Sequence, residues 1–402
     1  MGQRPPIIQS TNFLQRLMRS PIGNLFARSW LEKPILYLLG TWFFPLSRLW
    51  AAARAANGSV DNFFAAVPME PVEHKRAQIQ KLLDNFQIKR EQILTTEQKW
   101  REAFFSEQQL SPNQLLHAEQ LRLIHRNEYN KTRRQFGWLR KYVKSSVADR
   151  FATPNEVEAI YGGEQAMPRN LFAVPKSMPN VQVSQSISKR HSRDYWLRFP
   201  SPSARMGDNV YARVLEPIGV ANPPTLLFGH GIGVEFDHWR NTVDFLEYLP
   251  QLGIRVIRPE AAWHGRRVPD GFYGGEYFLS TTPLSGFDFF SAQLQEWTVL
   301  LDWARSTSSG ALAIGGSSLG AQTAQMASMA ANFWPQRLQP DALFLMTHCA
   351  HLWEVALDGN LADIWNLHHP MKELGWNRRT TEQLMQKLDP MSDPCMPPDR
   401  II

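Results

Sequence analysis

A chain of 402 residues with 43% hydrophobic and 20% charged residues is too long for one ordinary core and too apolar to be disordered. Its two cysteines, Cys349 and Cys395, exclude a disulfide framework and a C-x-x-C metal site, and they fit a reducing compartment. The formal net charge of +6 is matched by the first sixty residues alone, where Arg4, Arg16, Arg19, Arg28, Lys33, Arg48 and Arg54 stand against the single acid Glu32.

Residues 1–60 form a basic and apolar segment. Its first apolar run begins near Pro34, so the chain does not open on a secretory signal. The 13 residues from Pro34 to Leu46 fall short of the roughly 20 that a spanning helix needs, and Pro45 interrupts them. Two readings stand: a helix packed on the rest of the protein, or an interfacial segment whose arginines face anionic lipid. A cytoplasmic location is expected, peripheral at the membrane under the second reading. Pro6 stands where a myristoylation signal requires Ser or Thr.

Residues 61–150 read as a helical region. Ile79, Leu82, Leu83 and Phe86 follow the spacing of an amphipathic helix, and Ser111-Pro112 pairs an N-cap with proline at the first helical position. The next helix is expected to run through Leu115, Leu116, Leu121, Leu123 and Ile124 towards Trp138. Beyond it Arg133, Arg134, Arg140, Lys141 and Lys144 interleave with Phe136, Trp138 and Tyr142. A solvated face and a core stripe explain that pattern, so no nucleic-acid partner is expected.

Residues 151–180, rich in proline and glycine, read as a linker. From 181 to 402 the texture is α/β. Short runs at 181–188, 194–199, 210–215, 225–228, 255–258, 311–314 and 342–346 read as strands, the later ones apolar on both faces as in a parallel sheet covered by helices. A lid-like stretch follows, from about His351 to Pro398.

The chemistry concentrates at three loops. Gly316-Ser317-Ser318-Leu319-Gly320 lies between an apolar run and the small-residue stretch from Ala321 to Ala331. This is the G-x-S-x-G pattern, in which a nucleophilic serine sits on a sharp strand-to-helix turn and its second neighbours must be small. Ser318 is the candidate nucleophile, since a frame centred on Ser317 would put Leu319 at the last glycine. Upstream, Gly229-His230-Gly231-Ile232-Gly233 follows a buried strand; backbone N–H groups of Gly231 and Ile232, with that of Leu319, are candidate oxyanion donors. The third loop holds His264, Arg266 and Arg267, in a position where ligands bind in parallel sheets. His230, His264 and Arg266 are candidate substrate contacts. His264 is read first as structural, and Arg266 or Arg267 as either a holder of an acidic group or a partner of Asp270 or Glu276. There is no H-E-x-x-H, and His230 with Asp237 and His238 is a thin cluster, so neither metal nor cofactor is expected.

Together these residues resemble the α/β-hydrolase superfamily over roughly 181–350, and within it a branch with an HG-type oxyanion loop, an HGRR-like loop and the elbow. The resemblance implies an α/β-hydrolase sheet domain behind a helical amino-terminal region. It implies a Ser-His-Asp/Glu triad acting on an ester, thioester or amide, and we expect a small-molecule or lipid acyl ester. In that family the acid and the histidine follow the serine. His348, His351, His368 and His369 lack the expected setting, Asp358 or Asp363 beside His368 being the unusual alternative. Asp399-Arg400-Ile401-Ile402 looks like the opening of the strand that would carry the acid. The expectation is therefore a fragment whose C-terminal strands are missing, the alternative being a catalytically inactive membrane-peripheral or scaffolding protein that keeps the hydrolase frame.

Overall fold

The structure is a computed structural model that describes residues 32–70, 72–163, 167–233, 245–388 and 393–402. The chain enters through α1 (Glu32–Leu38), a π-helical turn (Leu39–Phe43) and α2 (Phe44–Ala56), followed by α3 (Val60–Ala66), α4 (Arg76–Phe104) and α5 (Pro112–Thr132). By length and composition the helix Lys33–Ala56 passes as a membrane span. Its second half is instead a core helix: Leu49, Trp50 and Ala51 are buried, and Arg48 pairs with Glu276 where both side chains are shut off from solvent.

Ser111 caps α5 as expected, its Oγ accepting the Gln114 amide in a capping box. The buried face of α5 carries only Leu115 of the expected apolar positions. Leu116 and Ile124 are exposed, whereas Glu119 and Arg122 are buried. Arg122 pairs with Glu119 and with Glu97 of α4, and its guanidinium lies 5.0 Å from the Trp100 ring. The helix ends at Thr132 and does not reach Trp138; short 3-10 turns at Arg133–Phe136 and Arg140–Tyr142 follow.

Between 151 and 180 the described residues are packed. They include α6 (Pro154–Tyr161) and α7 (Pro168–Leu171), and Ala152, Val157, Tyr161, Leu171 and Phe172 join the main core beneath the sheet. Phe44 and Ala51 of α2 belong to that same core, so the helical region and the sheet share apolar contacts.

The sheet follows with β1 (Gln182–Val183), β2 (Ile187–Ser188), β3 (Ser192–Pro200), β4 (Asn209–Pro217), β5 (Thr225–Gly229) and β6 (Arg255–Pro259). Next come α8 (Glu276–Ser280), α9 (Leu284–Thr307), β7 (Leu312–Ser317), α10 (Leu319–Ala330) and β8 (Ala342–Met346). The four short helices α11 (Leu352–Asp358), α12 (Asn360–Ile364), α13 (His368–Glu373) and α14 (Arg378–Met385) complete the chain's main elements. Strand order is β1-β3-β4-β6-β5-β7-β8, with β2 also on β3. The pairs up to β4–β6 are antiparallel, and β6, β5, β7 and β8 run parallel.

The stretch 181–188 is two short strands instead of one. The chain turns away at Ser184, whose Oγ accepts the Trp196 amide, and at Gln185, whose amide bonds the Phe104 carbonyl at the end of α4. At the far edge Ile401 adds a parallel bridge to Leu343. Helix α10 lies close against β5, β7 and β8 because Ala321, Ala324 and Ala327 offer only methyl groups to the sheet.

Candidate active site

The turn between β7 and α10 is sterically over-determined. Ser318 adopts φ 52° and ψ −117°, a conformation costly for any residue with a Cβ. What holds it there is close backbone approach on both sides. A Cβ on Gly316 would lie 2.2 Å from the carbonyl carbon of Gly320, and one on Gly320 would lie 2.2 Å from that of Gly229. The Ser318 amide donates to the Met346 carbonyl of β8 at 2.9 Å. Ser318 itself is exposed at the head of α10, and its Oγ has no hydrogen-bond partner among the described residues.

A parallel sheet in the order β6-β5-β7-β8, entered through antiparallel strands and carrying a strained serine between strand and helix, has a recognisable identity. The fold is of the α/β-hydrolase type.

The loop after β5 runs beside this serine. A Cβ on Gly231 would sit 3.4 Å from Ser318 Cβ and 3.9 Å from its Oγ. Ile232 and Leu319 line the same cavity as Ser318. Gly231 thus lies against Ser318, and Ile232 and Leu319 share its cavity.

His230 and His264 do different work. The His230 ring bonds the Gly231 carbonyl through Nδ1 at 2.9 Å and accepts the Ala261 amide at Nε2, 3.2 Å away. His264 repeats the pattern, with Nδ1 on the Ala262 carbonyl at 2.8 Å and Nε2 accepting the Gly233 amide at 3.3 Å. In each ring an accepting Nε2 requires the neutral tautomer with hydrogen on Nδ1. Burial pushes His230 down to about 4, with Arg258 adding to it; burial, then the neighbouring His230, pushes His264 to about 3. The rings meet edge to face at 4.9 Å. They pin the loop after β5 to the loop after β6, and neither lines the cavity.

Arg266 is likewise drawn elsewhere. It pairs with Glu260 and, at 3.1 Å, with Glu97 of α4, and it faces Trp100, Trp196 and Tyr211. It lines a separate polar cavity between α4 and the loop after β6. Asp270 and Glu276, the other carboxylates considered for it, are taken by Arg90 and Arg48.

The cavity above Ser318 has a volume of about 220 Å³ and a predominantly apolar wall. One side comes from α8 and α9, with Phe278, Leu279 and Gly286. The other comes from the stretch after β8, with Leu352, Val355, Ala362, Trp365 and Met385, so the lid-like stretch forms one wall of the cavity. Gln322 of α10 lies in the wall, and its amide oxygen accepts from the Cys349 thiol at 3.2 Å. Neither Gln322 nor the lid residues were legible as site residues, because no motif marks them.

His348 is the one histidine lining this cavity among the described residues, and it is not hydrogen-bonded to Ser318. His368 and Asp363 do approach, at 3.5 Å, but as an exposed pair that is not part of the cavity wall. No group of three or more His, Cys, Asp or Glu placed to hold a metal ion occurs among the described residues. Asp237 and His238 lie outside those residues.

No family model matches the chain, and no curated protein matches it in sequence. Among solved structures it is similar to an acetyl xylan esterase from a Paenibacillus species, at 12% identity and a TM-score of 0.39, over 61% of this chain and 77% of that one. Acetyl xylan esterase 1 from a Thermoanaerobacterium species is similar at 13% identity and a TM-score of 0.37, over 60% and 75%. An S-formylglutathione hydrolase from Agrobacterium tumefaciens gives 15% identity and a TM-score of 0.33, over 48% and 74%.

Proposed function

We propose that the protein is a serine hydrolase of acyl esters. The observation that carries this reading is the strained, exposed Ser318 at the floor of an apolar cavity, beside the Gly231-Ile232 turn and the first amide of α10. Ser318 Oγ attacks the acyl carbonyl, and its proton passes to a base. The oxyanion is held by N–H groups of Leu319 and of the Gly231-Ile232 turn, with the positive end of the α10 dipole behind it. The alcohol leaves with a proton, and water then releases the acid and restores the hydroxyl. The apolar wall favours a substrate with a hydrophobic acyl portion.

A second reading is favoured by one observation: no histidine bonds Ser318 Oγ among the described residues. On that reading the frame persists in a catalytically inactive, scaffolding role. A fluorophosphonate probe on the full-length protein separates the two. Labelling at Ser318, lost in Ser318→Ala, with turnover of p-nitrophenyl acyl esters, is the expected result. No labelling and no turnover would leave the scaffolding reading.

A further inference from the structure

The first half of the entering helix is apolar, and it is on the outside. Ile35, Leu38 and Trp42, spaced i, i+3 and i+7, share one face and are 49%, 60% and 46% exposed. Tyr37 is exposed as well. Such a stripe is costly to leave in water unless something covers it. Helix α2, directly continuous with it, is buried throughout its first three turns, so the contrast falls within one helical rod.

Cations stand around the stripe. Lys33 is exposed on the helix itself, and the Arg140 guanidinium lies over the Trp42 ring at 4.0 Å. Lys141 follows it, exposed, on the same 3-10 turn. The described acids on these two segments are limited to Glu32, and residues 1–31 add four arginines with no acid. An apolar stripe with basic side chains beside it matches the chemistry of an anionic bilayer surface, where chains enter the acyl boundary and cations meet phosphate.

The same helix borders the cavity. A Cβ on Gly40 would lie 3.1 Å from Cγ2 of Ile364 in α12, so the helix runs tightly along the lid. Phe44 stacks edge to face on Trp365 at 5.0 Å, and Trp365 and Ala362 form part of the wall above Ser318.

We propose that Ile35, Leu38 and Trp42, with Lys33, Arg140 and Lys141, dock the protein on an anionic lipid surface and hold the α12 edge of the Ser318 cavity against it. The substrate class this implies, acyl esters of membrane lipids, rests on the hydrolase reading; the docking does not. Covering the stripe by lipid accounts for the cations, which a second copy of this face would repel.

The test uses full-length Ser318→Ala protein, which cannot turn over lipid, and sedimentation with vesicles. Vesicles of pure phosphatidylcholine are compared with mixtures containing phosphatidylglycerol. Binding that requires the anionic lipid is expected, with partition reduced at least tenfold in Ile35→Glu/Leu38→Glu. Lys33→Glu/Lys141→Glu should reduce it at least tenfold too, at about fivefold for each cation removed. All substitutions are at exposed positions, and unchanged thermal midpoints would certify folding. Equal binding by the variants overturns the proposal, as does absence of binding. A dimer in solution that Ile35→Glu/Leu38→Glu dissolves would assign the face to a second copy and overturn it as well. Vesicle binding without Ser318-dependent turnover in the wild type would defeat the hydrolase reading alone, leaving the docking intact.

Discussion

His264 Nε2 accepts the amide N–H of Gly233 at 3.3 Å, so the loop beside Ser318 hangs on an imidazole that must stay neutral. Protonation would put N–H against N–H and break the clamp. Both histidines are depressed, to about 3 for His264 and about 4 for His230. The unfolded chain therefore takes up these protons first as pH falls. Their contribution to stability is complete above about pH 6.5 and is lost as pH drops towards 4 and then 3. Each ring adds a slope of up to about 1.4 kcal/mol per pH unit in that window. Urea unfolding at pH 7, 6 and 5 should show stability falling with pH, and His264→Gln should flatten part of the slope. A slope identical to wild type in that variant would mean His264 is not the titrating clamp.

Gly320 against Gly229 gives a second expectation. A methyl on Gly320 meets backbone carbon at 2.2 Å, which no rotamer change relieves. Gly320→Ala should cost about 3 kcal/mol or more by denaturant unfolding, at the upper end of overpacking. Gly163→Ala, where a Cβ meets nothing within 4 Å, serves as control and should stay within about 0.5 kcal/mol of wild type. Comparable stability of the two variants would show that the sheet and α10 can separate without loss.

Ser318 and His348 share a cavity without a bond between them. A general base works when hydrogen-bonded to its nucleophile and oriented by a third group. His348 has neither a bond to Ser318 nor a carboxylate partner among the described residues. Ser318→Ala should therefore reduce ester turnover by about 10⁴-fold or more, whereas His348→Asn should reduce it less than about tenfold. A loss in His348→Asn as deep as that in Ser318→Ala would identify His348 as the base.

The strained turn at Ser318 could be read from sequence because its demand is local: Gly316 and Gly320 are small for contacts two residues from Ser318. The later strands were legible for a related reason, each being a short apolar run bounded by turn residues. Long-range partners were hidden. The fate of Arg266 is decided by Glu97, 169 residues earlier, and the roles of His230 and His264 by backbone amides 31 residues distant. In α5 only Leu115 of the expected apolar positions is buried, because Arg122, paired with Glu119 and Glu97, takes up the rest of the inward face. The lid residues Trp365 and Met385 meet Ser318 only once the chain has folded back over the sheet.

Arg48 and Glu276 tie the entering helix to α8 through a pair with side-chain exposures of 2% and 0%. Arg48 also donates to the carbonyls of Ala66 and Gly271, and Glu276 accepts the amides of Ala148 and Tyr273. Burial raises the Glu276 carboxyl above its ordinary range even though Arg48 opposes the shift. Removing the guanidinium leaves a carboxylate that must ionise unaided or take up a proton. Arg48→Met should therefore cost about 3–5 kcal/mol near neutral pH. Glu276→Gln keeps an acceptor for only one of the two amides, which bond different oxygens, and strands the guanidinium's charge, so it should fall in the same range. The double variant Arg48→Met/Glu276→Gln should be less destabilised than the sum of the two, because no buried charge then lacks its partner. Urea unfolding of the four proteins measures this directly. Simple additivity would mean that the two groups are held independently by their backbone partners, with the ion pair between them contributing nothing to the docking of the helix.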